Sequence, residues 1–367
     1  MVIYQKNKKT LVIPAGIGNI PNSGYTQQDL DEAYNEGYDE GYSEGYLSGE
    51  TSCSGSTLTP LTIELNDTCL QFRWDTNETK TLWIRKSGVE GDGEWEEWTS
   101  DNIEYFIVCS YPDALRKVQL KGNNLDYSGL RIICVGGDNT QTGAYAYGNI
   151  MSLVYGDDLA NADYSASTNF NFYGLFGRPD NVLVDASALL LPQLNVPSSG
   201  YAHMFYGCTS LTGAPELPAT TVGRHSYDGM FYGCWGLTAA PEISATTIDK
   251  YAFSVMFRDC KNLVTAPSTL PATTLANGCY ANMFNGCDNL TTGPELPAPT
   301  LTNYCYTSMF NECYKLNYLK CLATNVSATN CLQNWLYGVQ NERGTFVKDA
   351  NMNIQIWPSN WTVVDAE

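Results

Sequence analysis

The chain has 367 residues, enough for two or three domains with a substantial buried core. It carries 39 acidic and 20 basic side chains, a formal charge of −19, and that average field repels DNA and RNA. Charged residues are only 16%, against roughly a quarter in ordinary domains; Gly and Tyr fill the gap, no run reaches the ~20 apolar residues of a membrane span, and membrane insertion is not expected.

At the start, Lys6, Lys8 and Lys9 precede an apolar run that includes Leu11, Val12, Ile13 and Pro14. The run is short and broken by Pro14, Gly16 and Gly18, so it does not read as a secretory signal. Residues 1–24 read instead as an arm, either folded on its own chain or docked into a larger assembly through Leu11–Pro14. Residues 25–57 follow. Tyr34, Tyr38, Tyr42 and Tyr46 recur every four residues, as do Gly37, Gly41, Gly45 and Gly49, among eight acids and no Lys or Arg. A period of four puts the tyrosines on one slowly drifting helical stripe. Each helical Gly costs ~1 kcal/mol relative to Ala, so the segment reads as a self-associating helical stalk, a trimer favoured, with a disordered acidic linker as the alternative. Residues 51–57 are its hinge, and Cys53 there is the candidate reactive thiol.

Residues 58–170 read as a β domain. The predicted strands are Leu61–Leu65, Leu70–Trp74, Leu82–Arg85, Tyr105–Cys109, Val118–Lys121, Leu130–Val135 and Ile150–Tyr155, broken at Asn66-Asp67, Gly88–Gly93, Gly122–Asn124 and Gly136–Asn139. That number and spacing suggest an immunoglobulin-like sandwich. Acids at Glu90, Asp92, Glu94, Glu96 and Glu97 fit no calcium loop and read as a solvated hairpin.

From 171 to 345 the chain repeats. Met-Phe occurs at Met204, Met230, Met256, Met283 and Met309. Four residues later stands Cys208, Cys234, Cys260, Cys287 or Cys313, and three residues after that a leucine, Leu211 to Leu316. Three residues before each Met is an aromatic: Tyr201, Tyr227, Phe253, Tyr280 and Tyr306. Leu-Pro-Ala-Thr-Thr-like segments join the copies, at Leu217–Val222, Ile243–Ile248, Leu270–Leu275 and Leu296–Leu301. A decayed sixth copy places Trp335-Leu336 where Met-Phe belongs. A period near 26 lies in the leucine-rich-repeat range, and stacking copies would line equivalent residues into ladders. The aromatic-Met-Phe spacing suits one inward-packing helical turn, and the Thr-Thr segments suit strands. Residues 346–367 form a C-terminal cap.

Thirteen cysteines and two histidines, with no CxxC, argue against a zinc site. The cysteines recur at repeat positions and read as packed thiols, with disulfides along the column the alternative. Glu216, Glu242 and Glu295 each follow Pro at the same repeat position and read as turn residues, so no catalytic residue, metal or cofactor is assigned. Tyr206, Tyr232 and Trp235 occupy variable positions beside the core Phe and Cys. They are the candidate ligand contacts, since rings suit sugar faces; packing between turns is the alternative. Stacked threonines at 220–221, 246–247 and 273–274 read as strand formers.

The run Tyr251-Ala-Phe-Ser-Val-Met-Phe-Arg-Asp-Cys-Lys-Asn-Leu263 resembles the BspA-like family of leucine-rich repeats. Tyr147-Gly-Asn-Ile-Met-Ser-Leu153, Phe172-Tyr-Gly-Leu-Phe176 and Asn360-Trp-Thr-Val-Val364 are similar to its Bacteroides-associated members. The arm and the Gly/Tyr segment resemble virion-attachment ends of fibre-like proteins from Bacteroides phages, crAss-like phages included. The resemblance implies a mainly β protein with short helices, comprising arm, helical stalk, immunoglobulin-like domain and C-terminal leucine-rich-repeat solenoid. It implies a head-fibre, decoration or tail-fibre protein on the virion surface, a homo-oligomer held to other virion proteins by its arm and displaying repeats to host or mucosal glycans. A bacterial cell-surface adhesin is the alternative and a glycan-degrading enzyme the remote one. Lack of an adhesin-type secretion signal favours the first.

Overall fold

The computed structural model of the chain describes residues 58–366, save 67, 75–78, 89–90, 101–104, 110–114, 136–142, 167, 340–342 and 353. Leu11, Val12, Ile13, Pro14, Tyr34, Tyr38, Tyr42, Tyr46 and Cys53 lie outside the described residues, so the arm, stalk and hinge expectations do as well. What is described is mainly β.

Eight strands come first: β1 (Leu61–Asn66), β2 (Cys69–Trp74), β3 (Thr81–Gly88), β4 (Gly91–Thr99), β5 (Tyr105–Cys109), β6 (Leu115–Gly122), β7 (Leu130–Val135) and β8 (Gly143–Asn149). β2 shows why they are strands: Leu70, Phe72 and Trp74 are buried while the residues between them are partly exposed, the alternation of a pleated chain. The strands pair antiparallel in two sheets, β8-β1-β6-β3-β4 and β5-β2-β7. Ile63, Phe72, Ile84, Leu120 and Ile132, drawn from both sheets, share one buried cluster.

One strand was not foreseen and one expected strand is absent. The acidic stretch near residue 94 is the solvated hairpin expected, and its second arm is β4, which pairs along β3 with Leu82 opposite Trp98 and Ile84 opposite Glu96. Two of the four acids in β4 pair with β3, Glu96 Oε1 with Lys86 Nζ at 2.8 Å and Asp92 with Arg85 at 3.6 Å. Ile150–Tyr155 is not a strand. The strand is β8, just before it, and Ser152–Tyr155 form a one-turn helix, α1, followed by a 3-10 turn at Gly156–Asn161. Two buried polar side chains cause this. Asn149 Oδ1 accepts the Met151 N–H (2.9 Å) and bends the chain. Ser152 Oγ accepts the Leu61 N–H (2.9 Å) and donates to the Leu120 carbonyl (2.8 Å), tying α1 to β1 and β6.

β8 is the seam. One edge pairs antiparallel with β1; the other pairs parallel with β9 (Leu183–Asp185) and β10 (Leu189–Leu190). Buried Asn181 fastens the seam with all four of its hydrogen-bonding valences used. Its Oδ1 accepts the N–H groups of Cys134 and Leu183, and its Nδ2 donates to the carbonyls of Ile132 and Phe176.

Beyond the seam the copies stack in parallel. β11 (Asn195–Val196), β12 (Thr221–Val222) and β13 (Thr247–Ile248) pair in register at offsets of one period. The Thr-Thr segments at 220–221 and 246–247 therefore lead into strands, as expected, whereas Thr274 makes only a single bridge. β14 (Thr292–Leu296), β15 (Tyr318–Cys321), β16 (Thr345–Lys348) and β17 (Thr362–Asp365) form a second parallel ladder. Single bridges such as Ala239↔Thr265 and Thr274↔Thr300 join copies between these sheets.

The aromatic-Met-Phe segment is not helical. In each of six copies it is a run of turns in which every fourth residue has positive φ: Ser199, His203 and Gly207 in the first, Asn330, Asn334 and Gly338 in the last. Alternate N–H groups then point different ways. Met204 donates back to the Tyr201 carbonyl in its own turn, whereas Phe205 donates forward to the Met230 carbonyl in the next. Tyr201, His203 and Gly207 also donate forward, to Ser226, Asp228 and Tyr232. A helix would spend these N–H groups within one copy; here they bind copy to copy. The left-handed positions carry residues as unfavourable as Val255, at φ 47°.

This spacing lets rings stack. Phe176, Phe205, Phe231, Phe257, Phe284 and Phe310 form a column with centroids 5.4–5.6 Å apart and planes within 8°. Tyr201, Tyr227, Phe253, Tyr280 and Tyr306 form a second. Trp335 ends both, 6.5 Å from Tyr306 and 6.3 Å from Phe310, and its Nε1 donates to the Ile356 carbonyl. Removing a mid-column ring should open a cavity no neighbour can fill: Phe231→Ala is expected to cost about 3–5 kcal/mol. The Tyr227 hydroxyl is buried with no hydrogen-bond partner among the described residues, so Tyr227→Phe, which copies the next turn's Phe253, is expected to raise stability by about 1 kcal/mol. Urea midpoints at constant m-value check both.

Candidate functional site

Two sets of side chains recur with the repeat and carry possible chemistry: thiols inside and rings outside. Cys208, Cys234, Cys260, Cys287 and Cys313 are fully buried free thiols. Each Sγ donates to the carbonyl of the previous turn's column Phe, at 3.0–3.2 Å. Cys279, Cys305 and Cys331 form a shorter buried column at the position that elsewhere holds Gly200, Ser226 and Ala252. Burial pushes these thiols up, Cys208 to about 12 and Cys305 to about 11. They are protonated S–H donors at neutral pH. Among the described residues no three His, Cys, Asp or Glu are placed to hold a metal.

The column is made of reduced, packed thiols, as the sequence reading has it; the disulfide lies elsewhere, at Cys69 in β2, which that reading did not place. Its cross-strand neighbour in β5 is Cys109. Only strand pairing exposes this, because the two positions lie forty residues apart with no repeat to mark them.

The recurring glutamates tie one turn to the next. Glu242 accepts the Ser268 N–H and hydroxyl, and Glu295 pairs with Lys320 at 3.0 Å.

Outside, the turn ladder holds aromatics on a common face. Tyr206 is 37% and Trp235 48% exposed; Tyr232 is half-buried. Tyr206 and Tyr232 meet edge to face at 5.1 Å. Two residues that sequence reasoning missed extend the row: His203 packs on Tyr206 at 5.7 Å, and exposed Tyr173 packs on His203 at 5.2 Å. Tyr173 belongs to the lead copy, Phe172–Phe176, whose forward hydrogen bonds to Gly200, Ala202 and Met204 reveal its kinship to the others; it lacks the Met and Cys that mark them. The row ends under guanidinium groups, Arg131 over Tyr173 (5.8 Å) and Arg258 over Tyr232 (5.5 Å). Asp259 lies 3.6 Å from Arg258. Trp235 stands in the turn of Tyr232 under Lys261, whose Nζ is 5.5 Å from the ring, and makes no ring–ring contact among the described residues. Burial pushes His203 below the usual imidazole range, with Asp228 opposing and His225 adding to the fall, so at neutral pH its ring is uncharged.

The row is rigid, because its residues share turns with the buried columns. It offers ring faces and edges to a ligand and no activated nucleophile. No helix among the described residues is long and apolar enough to cross a membrane.

Compared with known proteins, the chain matches no family model, no curated protein and no solved structure.

The thiols give stability a pH signature. Below an ordinary thiol value of 9.0 they are protonated whether folded or not, and their contribution is fully present. As pH rises further only the unfolded chain ionises, so stability falls until the folded thiols titrate. The thermal midpoint is expected to hold flat to about pH 8 and drop steeply above about pH 9. A midpoint flat through that range would mean the thiols are ionised or bonded in the native protein.

Proposed function

We propose that this protein is a virion structural protein of the fibre or decoration kind, which displays a rigid repeat domain for adhesion to a host-surface or mucosal glycan. On this reading residues 171–345 are a BspA-like leucine-rich-repeat solenoid, and residues 58–170 are an immunoglobulin-like module that carries it. Residues 25–57 are an oligomerising stalk, and residues 1–24 dock on other virion proteins. The observation that carries the adhesive role is the row of Tyr173, His203, Tyr206 and Tyr232, with Trp235 beside it, on the face of a stack whose interior thiols are protonated and buried. Sugar rings pack their C–H faces on such aromatics, while tyrosine hydroxyls and a neutral imidazole supply hydrogen bonds.

Catalysis forms no part of the proposal. Glycoside hydrolysis asks for two facing carboxylates, and Glu242 and Glu295 are each engaged with a neighbouring turn. A bacterial surface adhesin remains the second reading. The disulfide at Cys69 suits an oxidising surrounding, which a free particle and a cell surface both provide.

A glycan array probed with the full chain tests the adhesive role. Binding is expected without release of reducing ends, and Trp235→Ala or the pair Tyr206→Ala, Tyr232→Ala is expected to weaken it by about tenfold or more. Array binding indifferent to all three changes would sink the assignment. Deleting residues 1–24 tests the anchor: particles assembled with the shortened chain should lack it.

A further inference from the structure

A second feature lies where the β domain meets the first turns of the stack. An open groove of about 660 Å³ runs between the Leu125–Asp126 loop, the segment Asn169–Asn171, and the first two strands of the β11-β12-β13 sheet. It shares no lining residue with the row of rings.

Its walls are held by main-chain bonds. The Tyr127 N–H donates to the Asn171 carbonyl at 2.7 Å and the Asn171 N–H to the Leu125 carbonyl at 2.8 Å, so loop and segment are locked together. On the far wall the Gly223 N–H donates to the Val196 carbonyl at 2.9 Å. A Cβ on Gly223 would stand 2.9 Å from the Ser198 nitrogen, so a side chain there would press the two segments apart. The floor is Phe170, nearly fully buried and packed on Phe172 at 5.1 Å and Tyr201 at 4.9 Å. The groove is therefore as rigid as the aromatic column beneath it.

The side chains around it have hydrogen-bonding capacity to spare. Asn171 Oδ1 accepts the Tyr173 N–H, leaving its NH₂. Asn195 donates through Nδ2 to the Ser165 carbonyl, leaving its Oδ1. The Asn169 amide and the hydroxyls of Ser198 and Thr221 make no side-chain hydrogen bond among the described residues. Between them stand Leu125, 49% exposed, and Pro197. The single charge in the lining is Asp126, which accepts the Ser128 N–H at 3.0 Å and faces Lys80 Nζ at 3.5 Å. An anion would find no cation among the lining residues, and a cation only a carboxylate already paired. The groove offers unspent donors and acceptors side by side, with small apolar surfaces between, and its one carboxylate is paired with Lys80 outside the lining. A pyranose presents the complement: vicinal hydroxyls that donate and accept, on a ring with an apolar face.

We propose that this groove is a second binding site, specific for a short neutral saccharide and independent of the aromatic row. Asn169, Asn171 and Asn195 engage the hydroxyls, and Leu125 with Pro197 packs on the ring face.

Calorimetric titration of the full chain tests it, using neutral hexose and N-acetylhexosamine trisaccharides, trigalacturonic acid and an uncharged hexapeptide as probes. A neutral trisaccharide is expected to bind. Asn169→Ala, and separately Ser198→Trp, which fills the mouth from an exposed position, should raise its Kd about tenfold or more at unchanged thermal midpoint. Tyr337→Ala, which removes an exposed ring outside both sites, should leave it within about twofold. If no neutral trisaccharide binds, or only the acidic sugar or the peptide does, the groove assignment falls. It also falls if binding survives both groove variants and is lost in Trp235→Ala, an outcome under which the aromatic row keeps its role. Loss in the groove variants alone upholds the groove and leaves the row to its own test.

Discussion

Everything in the repeat half depends on where alternate backbone N–H groups point. With every fourth residue in the left-handed region, a turn segment gives half its donors to itself and half to the copy that follows. Such conformations are costly for residues like Val255, Tyr251 and Glu312. The return is a set of five hydrogen bonds across each pair of successive full copies. That set fixes the separation of copies and hence the ring-to-ring distance. Face-stacked phenyl columns and S–H donors reaching back to Phe carbonyls are both consequences of it.

The same logic explains why cysteine suits the column. The site is fully buried, needs a small side chain, and has a carbonyl within reach of a weak donor. Alanine would fill less of it, and serine would bury a stronger polar group whose demands a single carbonyl meets less well. The β domain begins the stack rather than merely preceding it. Ile132 of β7 donates to Leu175 of the lead copy, and Asn181 binds β7, lead copy and β9 at one point. The first repeat is thereby covered by strand edges and not by solvent.

The period itself was legible, because Met-Phe, Cys and Leu mark interior positions that cannot vary without loss of packing. The Thr-Thr strands followed from β-branching. The turn backbone was not legible. A spacing of i, i+3, i+4 belongs equally to a helix and to chained turns, and apolar periodicity does not report φ. The Gly residues at Gly207, Gly233 and Gly286 were the available clue, obscured by Asp259 and Glu312 at the same position. In the β domain, β4 hid because its acids outnumber its apolar residues; pairing along β3, with Lys86 on Glu96, is something composition cannot reveal. The Ile150–Tyr155 run has strand-like residues yet turns, because Asn149 and Ser152 satisfy buried main-chain groups. Of the ligand candidates, Tyr206, Tyr232 and Trp235 were visible as variable positions, whereas Tyr173 and His203 join them only through packing.

The forward hydrogen bonds have a mechanical corollary. They run along the stacking direction, so tension between the two ends loads the outermost interface first. It parts as a zipper does, one tooth-row at a time, and not as a sheet in shear. A molecule of this build pulled at its ends would pay out about 26 residues per step, while the turns behind the parting interface keep their shape.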